Sequence, residues 1–353
     1  MRSRGRIGVS CMVFALGVIG GMTDGAEARR EVLTEAQKEQ LHHAERLHLE
    51  VIALTDHGPI DPAAMRATIT ARFQELGYAV VPDPAQPYDI QVKVKCEQKK
   101  TWEGPVRSGT EADQPDSASS RLWTGPACQF SYRFDQKWAD WHHEVRGTDP
   151  QAGAQAMTQL NDRLAQDAFP YFLAAEFGQA GRLLTGLNRP ETPMAHKTAI
   201  ITLLGNMSAV EAIPALSQAA QDQEVTVAKT AVVALGTIGH HDCVPVLLER
   251  LKSDNPAVHL AAIQGLGRLA PLHPESAIVP TLLETLPKES PAGQIEIVRA
   301  LSKTTDRKIL GPLRALNRSV QAKSRSESTP ELKELITALG QALDQFDGTH
   351  TPD

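Results

Sequence analysis

The chain lacks an excess of basic charge. Its 353 residues include 36 Lys and Arg against 42 Asp and Glu, which gives a formal net charge of −6. Nucleic-acid-binding domains normally present a basic face, so the composition argues against a nucleic-acid partner. The sequence also lacks a glycine-rich phosphate loop, a nucleophile elbow and a Cys-x-x-Cys pair. These absences remove the most recognisable motifs of nucleotide-binding, hydrolase and redox sites.

Long hydrophobic runs are missing as well. The apolar run at residues 7–22 is shorter than the roughly 18 residues expected of a membrane-spanning helix. Arg2, Arg4 and Arg6 precede this run and the small-residue motif Ala26-Glu27-Ala28 follows it, as in a secretory signal peptide. We predict a signal peptide at residues 1–28 with cleavage after Ala28. The mature chain would then be exported to the periplasm or the extracellular space, without an integral membrane span.

Cysteine is scarce, with 4 residues in the whole chain. Cleavage after Ala28 removes Cys11, and an oxidising compartment would permit a disulfide among those that remain. Cys96 and Cys128 lie in two strand-like runs and form the natural pair, although two buried free thiols are the alternative. Cys243 lies in an apolar helical stretch and is predicted to be a small core residue.

The first part of the chain alternates between strand and helix patterns. Ile90, Val92, Val94 and Cys96 alternate with polar residues, and residues 128–134 repeat this alternation after a polar loop, which is typical of strands with one wet face. A helix over residues 152–177 follows. The order β-α-β-β-β-β-α predicts an α+β domain at residues 29–178 with a largely antiparallel sheet.

Two short motifs recur in step along the second part of the chain. Leu203-Leu204-Gly205, Ala234-Leu235-Gly236 and Gly265-Leu266-Gly267 are spaced 31 residues apart, and a proline motif recurs from residues 213, 244, 279 and 310. Repetition at such a period indicates a solenoid. Each unit is predicted to hold two helices. The motif glycine would cap the first helix, and the proline would lie in the first turn of the second.

These motifs resemble the HEAT family. The likeness lies in residues 230–239 together with Val244-Pro245-Val246-Leu247. Within the family, these residues most resemble the HEAT-like repeats first named for phycobilisome lyases. The resemblance implies an all-α solenoid at residues 193–345, after a linker at 179–192 and before a disordered tail at 346–353. It also implies a protein partner, because HEAT arrays mostly bind other proteins.

The resemblance does not imply an enzyme. Some HEAT arrays, the deoxyhypusine hydroxylases, hold a di-iron centre with His-Glu dipeptides, and the repeats here contain none: the residues that follow their histidines are Lys197, His241, Asp242, Leu260 and Pro274. We therefore predict no catalytic residue and no cofactor.

Two clusters have residue types that could hold a ligand. His240-His241-Asp242-Cys243 contains metal-ligand types, but adjacent helical positions point about 100° apart, so a turn between helices without a metal is favoured. Trp138, Trp141 and His142-His143-Glu144 form the densest aromatic and histidine cluster. An exposed hairpin is the favoured interpretation there. The alternative function is an enzyme or accessory subunit with a small-molecule or metal site in the α+β domain.

The repeat itself predicts a binding surface. Gln218, Glu249 and Glu284 are equivalent positions on successive second helices, and Arg250 and Thr285 belong to the neighbouring column. Second helices usually line the concave face of a HEAT array, so these residues are the predicted contacts to a partner. A solvated helix face is the alternative. The sequence thus favours an exported, non-catalytic scaffold of an α+β domain followed by a HEAT-like solenoid.

Overall fold

The structure is a computed structural model that describes residues 33–105, 120–134, 137–139, 142–147, 155–327 and 329–347. The predicted signal peptide and the cleavage site at Ala28 lie outside the described residues, as does the end of the predicted tail from residue 348 onward. Within the described residues, no helix combines the length and the apolar character needed to cross a bilayer.

The first part of the chain forms a seven-stranded sheet. In chain order its strands are β1 (Arg46–Thr55), β2 (Gly58–Ile60), β3 (Ala79–Val81), β4 (Ile90–Pro105), β5 (Ser120–Phe134), β6 (Lys137–Trp138) and β7 (His143–Arg146). The alternating runs of the sequence thus form strands, and β4 and β5 extend into both ends of the segment predicted as a polar loop.

The sheet is mixed, and its antiparallel pairs outnumber its parallel pairs, as a largely antiparallel sheet requires. The antiparallel pairs are β1 with β2, β4 with β5, and β5 with both β6 and β7, but β1 is parallel to β3 and β4. The reason is helix α2 (Ala63–Glu75), which lies between β2 and β3. A helical crossover of this kind returns the chain in the same direction.

One face of the sheet forms the core of this domain. Along β1 and β4 the buried side chains alternate, as at Leu49, Val51 and Val94, and Phe130 of β5 joins them. Helices α2, α3 (Ala156–Gln166) and α4 (Phe169–Glu176) cover this face, and α1 (Glu35–His42) precedes β1. The opposite face carries polar side chains, because successive residues of a strand point to opposite sides.

The predicted disulfide is confirmed. Cys96 and Cys128 are opposite each other in the β4–β5 ladder and form a disulfide with an S–S distance of 2.03 Å. Both are fully buried on the core face. Cys243 is buried and free, in agreement with its prediction as a core residue.

A single helix over residues 152–177 was expected, and the structure has α3 and α4 instead. Asp167 adopts an extended conformation that ends α3, and its Oδ1 accepts a hydrogen bond of 2.8 Å from the Phe169 amide. Pro170 lies at the start of α4, where a missing N–H costs little, whereas inside one continuous helix it would remove a hydrogen bond.

The remaining helices form a stack, which confirms the solenoid. They are α5 (Ala180–Asn188), α6 (Met194–Asn206), α7 (Ile213–Ala219), α8 (Val225–Ile238), α9 (Cys243–Arg250), α10 (Pro256–Leu269), α11 (Ile278–Thr285), α12 (Pro291–Ser302), α13 (Leu310–Ser324) and α14 (Pro330–Asp347). We call α6, α8, α10, α12 and α14 the first helices, and α7, α9, α11 and α13 the second helices.

The motif glycines were predicted to cap the first helices, but they do not. A Cβ atom on Gly205 would lie 2.9 Å from the Ala234 Cα, and one on Gly236 would lie 2.6 Å from the Gly265 Cα. These glycines therefore let neighbouring first helices touch backbone to backbone. The cap of α8 is Gly239, whose φ of 73° is left-handed, a conformation that glycine adopts without strain.

Residues predicted as a linker form a packed joint between sheet and stack. Gln179 is 5% exposed, and its Nε2 donates hydrogen bonds of 2.9 Å to the Leu41 carbonyl and 2.8 Å to the Ala44 carbonyl. Its Oε1 accepts from the Tyr78 hydroxyl at 2.6 Å. Helix α5 begins immediately afterwards and buries Leu183. Sheet and stack accordingly belong to one compact unit.

Candidate functional site

The predicted binding row lies on the surface of the second helices. Gln218, Glu249 and Glu284 are exposed on α7, α9 and α11. The Arg250 guanidinium donates a 2.6 Å hydrogen bond to Glu249, and the Thr285 hydroxyl donates to a carbonyl of its own helix at 2.8 Å. The row is therefore accessible, but Arg250 and Thr285 already have partners within the chain.

The first helices are packed against one another more closely than the second helices are. Successive first helices touch backbone to backbone at Gly205, Gly236 and Gly267, whereas successive second helices contact each other only sparsely. That the second helices line the concave face stays a prediction.

Exposed side chains at two register positions form what we call the first-helix face. Each first helix has a fully buried leucine in its repeat motif, and the face consists of the residues two before and two after that leucine. They are Thr202, Asn206, Val233, Thr237, Gln264, Arg268, Arg299, Lys303, Thr337 and Gln341, all exposed except the half-buried Val233. The face has three cations and no carboxylate of its own.

Hydrogen bonds connect this face from helix to helix. The Arg268 guanidinium donates to the Thr237 hydroxyl of α8 at 3.2 Å, and the Gln264 amide donates to Glu296 of α12 at 3.1 Å. Arg299 of α12 donates to Glu334 of α14 at 2.8 Å. Each bond bridges two first helices, so the surface is ordered across the stack.

The cations of this face differ in how strongly they are engaged. Arg299 is paired with Glu296 and with Glu334. Over the described part of the chain, no carboxylate lies within 4.0 Å of Arg268 or Lys303. The charges of Arg268 and Lys303 therefore face solvent and are available to a partner.

The turn between α8 and α9 brings together three potential metal ligands. The Nε2 of His241 lies 3.0 Å from Oδ1 of Asp242, and the Nδ1 of His240 lies 3.3 Å from Oδ2 of the same carboxylate. One ligand atom from each residue lies within 4.8 Å of the other two. The three residues precede α9, so the argument from helical spacing does not apply to them.

The buried Cys243 thiol beside this turn differs from these three ligands in its accessibility and its pKa. Burial raises the pKa of Cys243 to about 11, although a hydrogen bond from the backbone near His240 opposes the shift. Its side chain is fully buried. The thiolate needed for metal binding is thus disfavoured at this position.

The aromatic and histidine cluster of the α+β domain is only partly described, because Trp141 lies outside the described residues. Trp138 is 44% exposed, with the Lys93 ammonium 5.7 Å and the Arg133 guanidinium 5.4 Å from its ring centre. The imidazole of His143 points to the covered face, where it lies 3.0 Å from Asp167. The contact to Asp167 holds the strand against the segment between α3 and α4.

Glu144 occupies the opposite face of the same strand. Burial opposes its ionisation, but hydrogen bonds and charges from Lys100 and Arg146 outweigh this effect and lower the pKa of the Glu144 carboxyl. His142 is exposed beside it. Glu144 is therefore held as a carboxylate by two cations.

Sequence reasoning missed both the first-helix face and the convergence at His240, His241 and Asp242. The face could have been found from the repeat, since its members stand at fixed offsets from the motif leucine, as Gln264 and Arg268 do from Leu266. The convergence depends on the backbone of the turn, which no period in the sequence encodes.

Comparison with known proteins identifies the stack. A family model described as HEAT repeats matches residues 182–266 and 244–332. No curated protein matches the chain significantly.

Solved structures with similar arrangements include the complex of CpcE and CpcF of phycocyanin lyase from Nostoc sp. PCC7120, with 19% identity and a TM-score of 0.37 over 48% of this chain. The chain covers 65% of that lyase chain. An engineered protein has 17% identity and a TM-score of 0.34, over 56% of this chain and 94% of its own length.

Human deoxyhypusine hydroxylase, solved with glycerol, has 16% identity and a TM-score of 0.26 over 56% of this chain and 86% of its own. Each of these structures shows only a general resemblance to the chain in how its helices are arranged. The match of the family model, together with the stacked helix pairs, shows that the C-terminal part of the chain at residues 182–332 consists of HEAT repeats.

Proposed function

We propose that this protein is an exported, non-catalytic scaffold that binds a protein partner through its HEAT repeats. The observation that carries the proposal is the first-helix face. Its helices contact each other backbone to backbone at Gly205, Gly236 and Gly267, and side-chain hydrogen bonds cross from helix to helix. A surface ordered before binding loses little conformational entropy when a partner docks.

The charge of the face indicates the chemistry of the partner. Arg268 of α10 and Lys303, which directly follows α12, occupy equivalent register positions. Both are exposed, and neither has a carboxylate partner among the described residues. A partner that presents carboxylates would pair with these cations, and complementary charges of this kind set specificity and association rate. The proposed partner is therefore a protein with an acidic docking segment.

Export and the absence of catalysis are supported by the sequence. The basic start, apolar run and Ala26-Glu27-Ala28 motif favour a signal peptide, and no His-Glu dipeptide occurs in the repeats. Fractionation of the native cells, with the mature N-terminus determined by mass spectrometry, tests this part. A chain that keeps residues 1–28 in the cytosol contradicts export.

Two matched charge reversals test the binding surface. R268E/K303E inverts the first-helix face, and E249K/E284K inverts the row predicted on the second helices. Each replaces two exposed residues, and circular dichroism controls for folding. We expect quantitative pull-down from the native compartment to recover a specific protein with the wild type, to lose it with R268E/K303E, and to retain more of it with E249K/E284K.

Two other outcomes of the pull-down would contradict this expectation. Loss confined to E249K/E284K would place the interface on the second helices and contradict the first-helix face. If both variants recover the partner as well as the wild type does, these repeat surfaces are not the interface.

A further inference from the structure

We infer that His240, His241 and Asp242 form a binding site for a divalent transition-metal ion such as Zn²⁺. The proposed scaffold function does not require this site, so the metal site and the scaffold function are tested independently. Three donor atoms converge at the turn between α8 and α9.

The distances suit a small metal ion. Zn²⁺ binds histidine nitrogen at about 2.0–2.1 Å, so neighbouring ligand atoms of a tetrahedral site lie roughly 3.3 Å apart. Here the Asp242 carboxylate lies 3.0 Å from the His241 Nε2 and 3.3 Å from the His240 Nδ1. One ligand atom from each of the three residues lies within 4.8 Å of the other two, so all three groups are within reach of one ion.

The donor set selects the class of metal. Two imidazoles and one carboxylate suit Zn²⁺, Cu²⁺ or Ni²⁺, whereas Ca²⁺ and Mg²⁺ prefer oxygen ligands alone. The buried Cys243 thiol does not belong to the set, because its pKa is raised to about 11. The side chains of His241 and Asp242 are 68% and 59% exposed, so the remaining coordination position faces solvent and would take water or a donor from a bound molecule.

The backbone of the turn is held in place before any ion binds. The amides of Cys243 and Val244 donate hydrogen bonds of 3.0 Å to the carbonyls of His240 and His241. The Nε2 of His273, on the turn of the next repeat, lies 2.8 Å from the Gly239 carbonyl. The turn is thus fixed by its own helix and by the neighbouring repeat.

A second pair of neighbouring histidines provides a matched comparison. His42 and His43 are also adjacent, and His43 is also paired with a carboxylate, that of Glu39 at 2.9 Å. However, the Nδ1 of His42 is directed to the Gly178 carbonyl at 2.9 Å. Among the described residues these groups do not converge as His240, His241 and Asp242 do. The His42–His43 pair should therefore bind a metal ion more weakly.

The test uses the purified protein without a polyhistidine tag. Isothermal titration with ZnCl₂ should show one site, and His241→Ala and Asp242→Asn should each weaken it by about tenfold or more, as loss of a ligand or its supporting contact does in known sites. His43→Ala should leave the affinity unchanged. Asp242 makes no side-chain capping hydrogen bond to α9, so Asp242→Asn should fold normally.

Electron paramagnetic resonance of the Cu²⁺-loaded protein provides an independent readout. We expect superhyperfine splitting from two imidazole nitrogens in the wild type and from one in His240→Ala. Absence of stoichiometric Zn²⁺ binding overturns the inference. So does zinc binding that is insensitive to His241→Ala, or that disappears with His43→Ala.

Discussion

The sheet domain and the helical stack are stabilised by different kinds of contact. In the sheet, β1 pairs with β4 across the crossover helix α2, and one disulfide joins residues 32 positions apart. In the stack, each first helix contacts the first helices before and after it, and the same glycine contact recurs from repeat to repeat. The sheet thus depends on several different pairings, whereas the stack depends on one kind of contact used several times.

Removal of the disulfide should cause the largest change in the free energy of unfolding. In the chain-entropy description, a crosslink that closes a loop of this length contributes about 3–4 kcal/mol. We expect C96A/C128A to lower the free energy of unfolding by that amount in urea denaturation. Reduction of the wild type should reproduce the loss and should not affect the variant. If reduction leaves the wild type unchanged, the disulfide does not stabilise the sheet.

The joint at Gln179 should determine whether the two regions unfold together. Gln179→Ala removes a side chain that bonds to the Leu41 and Ala44 carbonyls and to the Tyr78 hydroxyl. Loss of the acceptor of the buried Tyr78 hydroxyl costs about 1–3 kcal/mol. We expect one calorimetric transition in the wild type to become two in this variant. Gln218→Ala, at an exposed position on α7, is the control and should keep one transition.

Substitution of the glycines should show how much the stability of the stack depends on close contact between first helices. Gly236→Ala places a Cβ atom 2.6 Å from the Gly265 Cα, and overpacking of this kind costs about 1–3 kcal/mol. Gly340 stands at the same register position of α14, but nothing lies within 4 Å of a Cβ atom there. We therefore expect Gly340→Ala to be neutral or to stabilise by up to about 1 kcal/mol. Equal losses in chemical denaturation would contradict the role assigned to Gly236.

The smallest expected effect is a pH dependence within the sheet domain. The pKa of Glu144 is lowered from its ordinary value of 4.5, so its contribution to stability is present above pH 4.5 and is lost as the pH falls through the folded-state value. Glu144→Gln should be less stable than the wild type at neutral pH, and the difference should shrink in acid. Glu284→Gln, at an exposed position on α11, is the matched control for unfolding free energies measured across this range.

Local patterns in the sequence predicted much of the fold. The alternation at Ile90, Val92 and Val94 predicted β4, because a strand with one buried face shows its period directly. The 31-residue spacing of the Gly205 and Gly236 motifs predicted the stack for the same reason. Cys96 and Cys128 could be paired because both stand on the apolar face of their strands.

Features that depend on distant contacts could not be predicted in this way. The parallel pairing of β1 and β4 depends on which strands become neighbours. The role of Gly236 depends on Gly265 in the next repeat, and that of Gln179 on carbonyls more than a hundred residues away. The His240–Asp242 convergence depends on the backbone of one turn. Each is a property of tertiary contacts and not of a local period.

A solenoid has two ends, and an uncovered end leaves an apolar surface on which another copy can stack. At the start of this stack, Tyr171 of α4 and Ile200 of α6 pack against Gly186 of α5, next to the joint at Gln179. The sheet domain therefore serves as the terminal cap that a free-standing array would need as an extra repeat. We expect a chain shortened to its repeats to expose that surface and to lose solubility, because an array needs a cap at each end.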